Sequence, residues 1–346
     1  MEQQLITKKG NLLNKDGSLI QTGYSKSFLL NYNREVIRKK SKLKEWDYIY
    51  FGDERYGVCL SISNLSYAAA LSASIVDFTR HEYSIKNSIK LFPDVKPDLS
   101  ENPKESFSYY KTKNAEFKFE YKDGKKHLTG YFNNFFKLHE GNKNLEFDIV
   151  LDNEPEESMV KVTSFKKKHQ FCYNNKISCM TAEGTATING RKYVFNKQNS
   201  FATLDWFRAI LPYKNEWYWA SMQSTLDREM IGFSLARGFG DFEEHTENMI
   251  FYKGKAHKIN AVKIYNQRDG MKTNYLRPWT FYSDDGRLEL MFEPFVLRKN
   301  CINWGLFKHK THKVFGEFTG KLILDDGSEI EIKDKLGFSK KFNNRW

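Results

Sequence analysis

The chain has 346 residues, of which 40% are hydrophobic and 16% aromatic, and its formal net charge is +12. This composition excludes a disordered protein, because disordered chains are poor in aromatic residues. Phe, Tyr, Ile, Val and Thr are abundant relative to the good helix formers, which favours strands. The length is large for one hydrophobic core and sufficient for two.

The positive charge leaves two interpretations open. Lysines are scattered and interleaved with acidic residues, as in residues 122–126, which is typical of a solvated basic surface. An anionic partner such as nucleic acid would also bind a basic surface. We favour the solvated surface, so nucleic acid is not the expected partner.

The amino terminus has no apolar run of signal-peptide length, and the most apolar window, residues 67–76, is too short to span a membrane. Cys59, Cys172, Cys179 and Cys301 form no CxxC pair and no zinc-finger spacing. We therefore expect reduced thiols in a cytoplasmic protein, with a Cys172–Cys179 disulfide as the alternative.

Turn signals recur at short intervals along the chain and separate segments with strand patterns. Two-residue turn signals end at Gly17, Gly124, Gly190, Gly254, Gly286 and Gly327. Alternating patterns predict strands over residues 115–121, 192–195, 230–235, 249–252, 288–292, 320–324 and 329–332. Residues 31–44 and the stretch after Glu154 are predicted as short helices or loops, and residues 92–103 as a loop.

Residues 17–120 recur in weak form 173 positions later, with Trp46 matching Trp219. A repeat of this length is the size of a domain. We predict an all-β fold of two tandem antiparallel β-barrel or sandwich units related by internal duplication. The units would be residues 1–175 and 176–346, joined near residues 173–182.

Residues special to the second copy are better functional candidates than residues common to both copies. These residues combine tryptophans with charged and amide side chains, as in a pocket for a small molecule. The candidate ligand site comprises Asp205, Trp206, Arg208, Trp217, Trp219, Phe239, Asp241, Glu247 and Asn248.

Each of these features also has a structural interpretation. Trp217 and Trp219 share one strand face and are either core aromatics or the wall of an apolar pocket. Asp205 forms either a buried ion pair with Arg208 or part of a site, and a buried Glu247 is paired, protonated or functional. Asp205 and Glu247 are the candidate catalytic residues, because burial beside a tryptophan raises a carboxyl pKa and favours general-acid chemistry.

The Gly-Phe-Gly segment at residues 238–240 is either a sharp bend or a ligand contact, and it lacks the spacing of a phosphate loop. No histidines or cysteines are spaced as three or four converging metal ligands. We therefore expect no metal and no cofactor.

Several motifs together resemble the signature of bacterial domain-of-unknown-function family 2804. The motifs lie at residues 202–208, 217–219, 238–241 with 247–248, 283–287, 312–316 and 336–338. More distantly, the Asp-Trp segment and the tryptophan-rich strand after it are similar to the second half of tandem lipocalin-like proteins, which include carotenoid hydratases. This resemblance implies two calycin-type barrels and a hydrophobic ligand.

One departure from the hydratases limits what the resemblance implies. The hydratases carry an Asp-His-x-Trp arrangement, whereas here Asp205 is followed directly by Trp206 and the histidine is missing. The resemblance therefore implies the pocket rather than the reaction.

Three functions follow from these observations. The first is binding of an apolar or amphipathic small molecule, such as a lipid or isoprenoid, in a β-barrel pocket located mainly in the second copy. The second is a hydratase or cyclase in which Asp205 or Glu247 protonates an isoprenoid or lipid alkene. The third is a basic interaction module for an anionic partner.

Overall fold

The computed structural model describes residues 3–105, 107–138, 141–188, 190–240, 245–270 and 272–346. Within these ranges the only helices are two single 3₁₀ turns, Arg34–Val36 and Lys40–Lys42. They lie in the segment predicted as short helices or loops, so that prediction is confirmed. The remaining elements are strands.

The described residues form 26 strands, which are numbered in chain order. They are β1 Gly10–Asn11, β2 Gly23–Ser25, β3 Leu30–Asn31, β4 Leu43–Gly52, β5 Tyr56–Asn64, β6 Ala68–Asp77, β7 Glu82–Leu91, β8 Phe107–Lys111, β9 Ala115–Lys122, β10 Lys125–Leu138, β11 Gly141–Asp152, β12 Met159–Ser164, β13 Phe171–Ile188, β14 Arg191–Phe195, β15 Phe201–Ile210, β16 Lys214–Leu226, β17 Glu229–Arg237, β18 Met249–Tyr252, β19 Lys255–Lys258, β20 Val262–Asn266, β21 Arg268–Asp269, β22 Lys272–Thr273, β23 Trp279–Ser283, β24 Leu288–Trp304, β25 Phe307–Ile323 and β26 Glu329–Arg345.

Most strands belong to two strongly curled antiparallel sheets, each a half-barrel, which confirms the predicted all-β class. The first sheet has the order β7-β6-β5-β4-β15-β13-β11-β10-β9-β8, with β2, β12 and β14 attached beside it. The second has the order β19-β18-β17-β16-β26-β25-β24-β23-β20. Matching strands start 173 residues apart, at Tyr56 and Glu229 and again at Ala115 and Leu288.

The last three strands are much longer than their sequence patterns indicate, at 17 residues each. Breaks in the pairing register occur between Pro294 and Val296 and between Phe318 and Gly320. Gly320 has φ +146°, and a Cβ there would lie 2.2 Å from the Glu289 carbonyl oxygen, so the close approach requires glycine. These irregularities bend the strands. Each long strand therefore belongs to its own curled sheet along one part of its length and contacts the other sheet along another part.

Each sheet buries its own apolar core on one face. The first core includes Phe51, Phe117 and Phe147, and the second includes Trp279 and Phe318. A third cluster, which includes Tyr48, Trp219 and Phe338, packs between the two sheets. The packing of this third cluster therefore determines the size of any cavity between the two sheets.

The chain passes from the first sheet to the second near Pro212, between β15 and β16. The predicted boundary at residues 175 and 176 lies inside β13, which pairs within the first sheet. The division into two domains stays a prediction, and we propose Pro212 as the junction. The cysteines are free thiols, so a Cys172–Cys179 disulfide is not formed.

No helix in the described ranges has the length and apolarity to cross a membrane. The same residues include no group of three or more His, Cys, Asp or Glu side chains that could hold a metal ion.

Candidate ligand site between the two sheets

One wall of an inter-sheet cavity is a patch of small side chains on the first sheet. Ser61 and Ser63 on β5 lie opposite Ser72 and Ala70 on β6 in the strand register. Because alternate residues of a strand face the same side, these four side chains share one face. They line the cavity together, and their small volume leaves the space open.

The opposite wall comes from β24, β25 and β26 of the second sheet. It contributes larger and more polar side chains, including Arg298, Asn300, His309, Lys340 and Phe342. Burial lowers the pKa of His309 to about 4, which leaves its ring neutral at pH 7.

The cavity between these walls has a volume of about 140 Å³. This is close to the size of an apolar cavity that holds one benzene molecule. Its aromatic lining comes from both halves of the chain: Trp46 and Tyr48 from the first sheet, and Trp217, Phe307, Phe342 and Trp346 from the second half. Trp217 stacks on Phe342 with 4.2 Å between ring centroids. The position between the sheets corrects the expectation of a pocket inside a second-copy barrel, where core side chains fill the interior.

Asp205 is the predicted acidic residue that reaches this cavity. It lies on β15 with 7% of its surface exposed, and one carboxylate oxygen accepts a hydrogen bond from Trp46 Nε1 at 3.3 Å. Its other oxygen, Oδ1, is buried and has no hydrogen-bond partner among the residues that the structure describes. Burial raises the pKa of Asp205, and nearby Lys176 only partly opposes this effect. The carboxyl group is therefore suited to carry a proton toward the cavity.

Glu247, the second predicted acid, is held in a buried ion-pair network. It forms a short ion pair with Lys176 and lies 3.9 Å from Lys161 Nζ. Burial raises the pKa of Glu247, but the two lysines outweigh burial and bring the pKa below its ordinary value. Glu247 is thus a charged residue that links β12 and β13 to the segment before β18, and it does not line the cavity.

Arg208 and Trp206 lie on the opposite face of β15 from Asp205, as strand alternation requires. Arg208 is fully buried and its Nη1 lies 2.9 Å from Asp47 Oδ1. It also lies 3.9 Å from Glu45, and its guanidinium group is stacked 4.3 Å from the Trp206 ring. The Asp205–Arg208 ion pair considered from the sequence is therefore not formed, and both Arg208 and Trp206 lie away from the cavity.

Trp219, Phe239 and Asn248 lie near the site without lining it. Trp219 is buried and donates a hydrogen bond to Ser234 Oγ at 3.0 Å. The Phe239 ring packs 4.8 Å from the Trp217 ring, so it supports the aromatic wall from behind. Asn248 joins strands, because its amide group accepts from Ala236 N and donates to Asn260 O.

The Gly-Phe-Gly segment is a sharp bend. Gly238 and Gly240 have φ +100° and +83°, and a Cβ at Gly240 would lie 2.5 Å from Thr163 Oγ1. Only glycine combines this conformation with this approach. Asp241, which follows the bend, lies outside the described residues.

Three basic side chains that the sequence did not single out form a row across the second sheet. Arg298 lies opposite Lys313 in the register of β24 and β25, and Lys313 lies opposite Lys340 in that of β25 and β26. All three are buried, with exposed fractions of 5%, 0% and 8%. We call them the cationic row. Pairing register is a long-range property, so no local motif identifies this row.

The cationic row makes its polar contacts with the first sheet. Lys313 donates to the Tyr48 hydroxyl at 2.6 Å and to Cys59 Sγ at 3.3 Å, and Arg298 donates to Ser74 Oγ. Burial opposes ionisation of Cys59, but Lys313 and Arg298 outweigh it and lower the pKa of Cys59 to about 6. Burial in turn lowers the pKa of Lys313 to about 7. Cys59 is therefore the internal counter-charge of the row.

The fold and this geometry define an all-β protein of two tandem half-barrel sheets with an aromatic, partly charged cavity between them. The chain belongs to the family described as Domain of unknown function (DUF2804), whose profile matches residues 3–346. This membership confirms the resemblance stated from the motifs. Comparison with curated proteins gives no match.

Three solved structures are similar to this chain over most of its length. Kievitone hydratase from Nectria haematococca is similar over 88% of this chain and 88% of its own, at 12% identity and a TM-score of 0.51. A candidate AttH from Nitrosomonas europaea is similar over 90% of this chain and 96% of its own, at 9% identity and a TM-score of 0.48. CghA with Sch210972 is similar over 88% of each chain, at 9% identity and a TM-score of 0.45. The likeness to kievitone hydratase shows the fold alone.

Proposed function

We propose that this protein binds an apolar or amphipathic small molecule in the cavity between its two half-barrel sheets. The observation that carries the proposal is the lining, in which aromatic rings from both sheets surround a few buried polar groups. Two of those groups, Asp205 Oδ1 and Arg298 Nε, have no hydrogen-bond partner within the described structure. Ligand sites combine apolar walls with a few convergent polar atoms in this way.

The free-energy cost of the unpartnered polar atoms favours a bound ligand in this cavity. A buried polar atom without a partner costs about 1–3 kcal/mol, and a ligand that supplies the partner recovers that cost. Stacking on aromatic rings adds contact area with little loss of side-chain freedom. The fold of kievitone hydratase supports a small-molecule role for the same architecture.

A substitution that fills the cavity tests the proposal. Ala70→Phe places an aromatic ring in the space beside Ser63 and is expected to reduce ligand uptake at least tenfold, because the ring occupies the ligand volume. Uptake is measured by mass spectrometry of an organic extract from natively purified protein, and by tryptophan fluorescence during titration with small apolar compounds. The matched control is Val194→Phe at an exposed strand position, 45% accessible.

The outcome that contradicts the proposal is specific. If the unmodified protein yields no small molecule in the extract and its fluorescence does not respond to apolar compounds, the cavity is not a ligand site. Equal uptake by Ala70→Phe and by the unmodified protein would place the ligand elsewhere.

A second candidate function is proton-transfer catalysis of the hydratase or cyclase type, favoured by the buried and unpartnered Oδ1 of Asp205. The protonated carboxyl would transfer its proton to one alkene carbon, and water would add to the other carbon. The proton released by that water would then return to the carboxylate, which completes the hydration. Trp46 and Trp217 would stabilise the developing cation with their ring faces. Glu247 is ionised and paired, so Asp205 is the better general acid.

Asp205→Asn separates binding from catalysis. Asparagine keeps the size of the side chain but supplies no acidic proton, so turnover is expected to fall at least 100-fold while the dissociation constant changes little. Turnover is measured as deuterium incorporation when the co-purified ligand is incubated with the protein in D₂O. The enzymatic role is disproved if Asp205→Asn and the unmodified protein give the same isotope pattern.

A further inference from the structure

The cationic row is costly in the absence of a ligand. Arg298, Lys313 and Lys340 are cross-strand neighbours, and residues directly opposite in antiparallel strands have Cβ atoms about 4.5–5.5 Å apart. Like charges in this arrangement repel each other, and burial disfavours the charged forms: it lowers the pKa of Lys313 to about 7 and that of Lys340 well below its ordinary value. A sheet built only for stability would carry apolar or oppositely charged residues at these positions.

Internal counter-charges do not balance the row. Within the described part of the chain, no ion pair joins any of the three cations to a carboxylate. Cys59 accepts from Lys313, and Asp205, the nearest carboxyl of the cavity, has a raised pKa because it is buried. Lys340 has aromatic neighbours instead, with its Nζ 4.8 Å from the Tyr48 ring centroid and 4.1 Å from that of Phe342.

Two members of the row face the cavity directly. Arg298 and Lys340 both line it, and among the described residues the buried Arg298 Nε has no hydrogen-bond partner, although Nη1 donates to Ser74. A guanidinium donor of this kind recognises an oxyanion, and a bound anion beside it would hold the Lys340 amine in its ammonium form. The aromatic wall of Trp217 and Phe342 continues on the same face.

We propose that the ligand of this cavity is an amphipathic anion whose oxyanion head, a carboxylate, phosphate or sulfate, is bound by Arg298 and Lys340. Its apolar body lies along Trp217 and Phe342, toward the small-residue wall of Ser63 and Ala70. This inference rests on the proposed ligand-binding function and specifies the chemical class of the ligand. The head group supplies negative charge beyond that of Cys59, the internal counter-charge of the row.

The test compares probes that share a single aromatic ring, which suits the size of the cavity, and differ in charge. Benzoate and benzyl alcohol are titrated into the full-length protein by isothermal titration calorimetry. The carboxylate is expected to bind at least tenfold more tightly than the alcohol. Phenyl phosphate and phenyl sulfate are added as further arms, and the tightest binder identifies the head group.

Variants of the row assign the effect to its residues. Lys340→Met and Arg298→Met are each expected to reduce binding of the anion at least tenfold and to abolish most of the preference for the anion over the alcohol. The matched control is Lys299→Met, which removes an exposed lysine adjacent to Arg298 on the opposite strand face. Circular dichroism verifies folding, and Lys340→Met should fold well because it relieves repulsion within the row.

The possible failures are distinguishable. If the alcohol binds as tightly as the anions, the head-group inference is overturned while the ligand-binding function stands. If no probe binds and the organic extract is empty, both proposals fail. If the anions bind preferentially but both row variants retain that preference, the oxyanion site lies elsewhere and the inference is overturned.

Discussion

Replacing Glu247 with glutamine is expected to lower the free energy of unfolding by about 3–5 kcal/mol at pH 7, because it leaves two buried lysines without their anion. Lys176 and Lys161 are 4% and 2% exposed, so water cannot replace the lost partner. Urea-induced unfolding followed by fluorescence measures the change. The control is Glu216→Gln, whose side chain is 46% exposed beside Lys341 and which should cost no more than about 1 kcal/mol.

The same variant has a defined pH dependence. The pKa of Glu247 lies below its ordinary value of 4.5, so its stabilising contribution is fully present above pH 4.5 and is lost as pH falls through the folded-state pKa. The stability difference between Glu247→Gln and the unmodified protein should therefore narrow in acid.

A double variant, Lys176→Met with Glu247→Met, should lose less than the sum of the single variants, because it removes both charges of the pair. Additive losses would show that packing rather than charge sets the cost.

Arg208→Met is expected to produce a loss of similar size, about 3–5 kcal/mol, because Asp47 then remains buried without its cation, whereas Glu45 keeps its ion pair with Arg34. The guanidinium group also donates to the Trp46 and Ser100 carbonyl oxygens, at 2.9 and 2.6 Å, and those acceptors lose their partner. Thermal unfolding followed by circular dichroism measures the effect.

The control for Arg208 is Arg55→Met, which breaks an ion pair to Asp53 from a side chain that is 58% exposed. It should cost less than Arg208→Met, because the buried Asp53 carboxylate keeps hydrogen bonds from the backbone N–H groups of residue 55 and Tyr56. Because Arg208 lies on the face of β15 away from the cavity, folded Arg208→Met protein at low temperature should keep its ligand affinity. A large loss of affinity in that folded variant would contradict the structural role assigned to Arg208.

Much of the fold could be predicted from local sequence patterns. The turn pairs at Gly124, Gly254, Gly286 and Gly327 all lie between paired strands, as predicted. The lengths of the last strands were underestimated, because bulges interrupt the two-residue period near Pro294 and so hide the continuation of the strand. A bulge leaves the strand continuous but adds one residue, so the alternation of apolar and polar side chains changes phase at that point.

The site was only partly visible in the sequence. Asp205 and Trp217 were found because they differ between the copies, and both line the cavity. Trp206 and Arg208 were grouped with them, although the period of two that placed Trp217 and Trp219 on one face also separates 206 and 208 from 205. Lys340 and Ser61 were missed because their proximity depends on contact between two sheets, which no local spacing encodes.

Some of the charged residues that make up the net charge of +12 are buried. Eight basic residues in the described structure are buried: Lys44, Lys126, Lys161, Lys176, Arg208, Arg298, Lys313 and Lys340. Five acidic residues are buried: Glu45, Asp47, Asp53, Asp205 and Glu247. The buried residues therefore carry a formal excess of three positive charges out of twelve, so most of the positive excess lies outside the buried set.

The serine and alanine patch on β5 and β6 has a consequence for how such proteins diversify. Backbone hydrogen bonds hold these strands together, so a larger or smaller side chain at Ser61, Ser63, Ala70 or Ser72 alters the room for a guest without disturbing the ladder. For the proposed ligand, size is thus adjustable by single exchanges on one sheet, while the proposed head-group contacts belong to the other sheet.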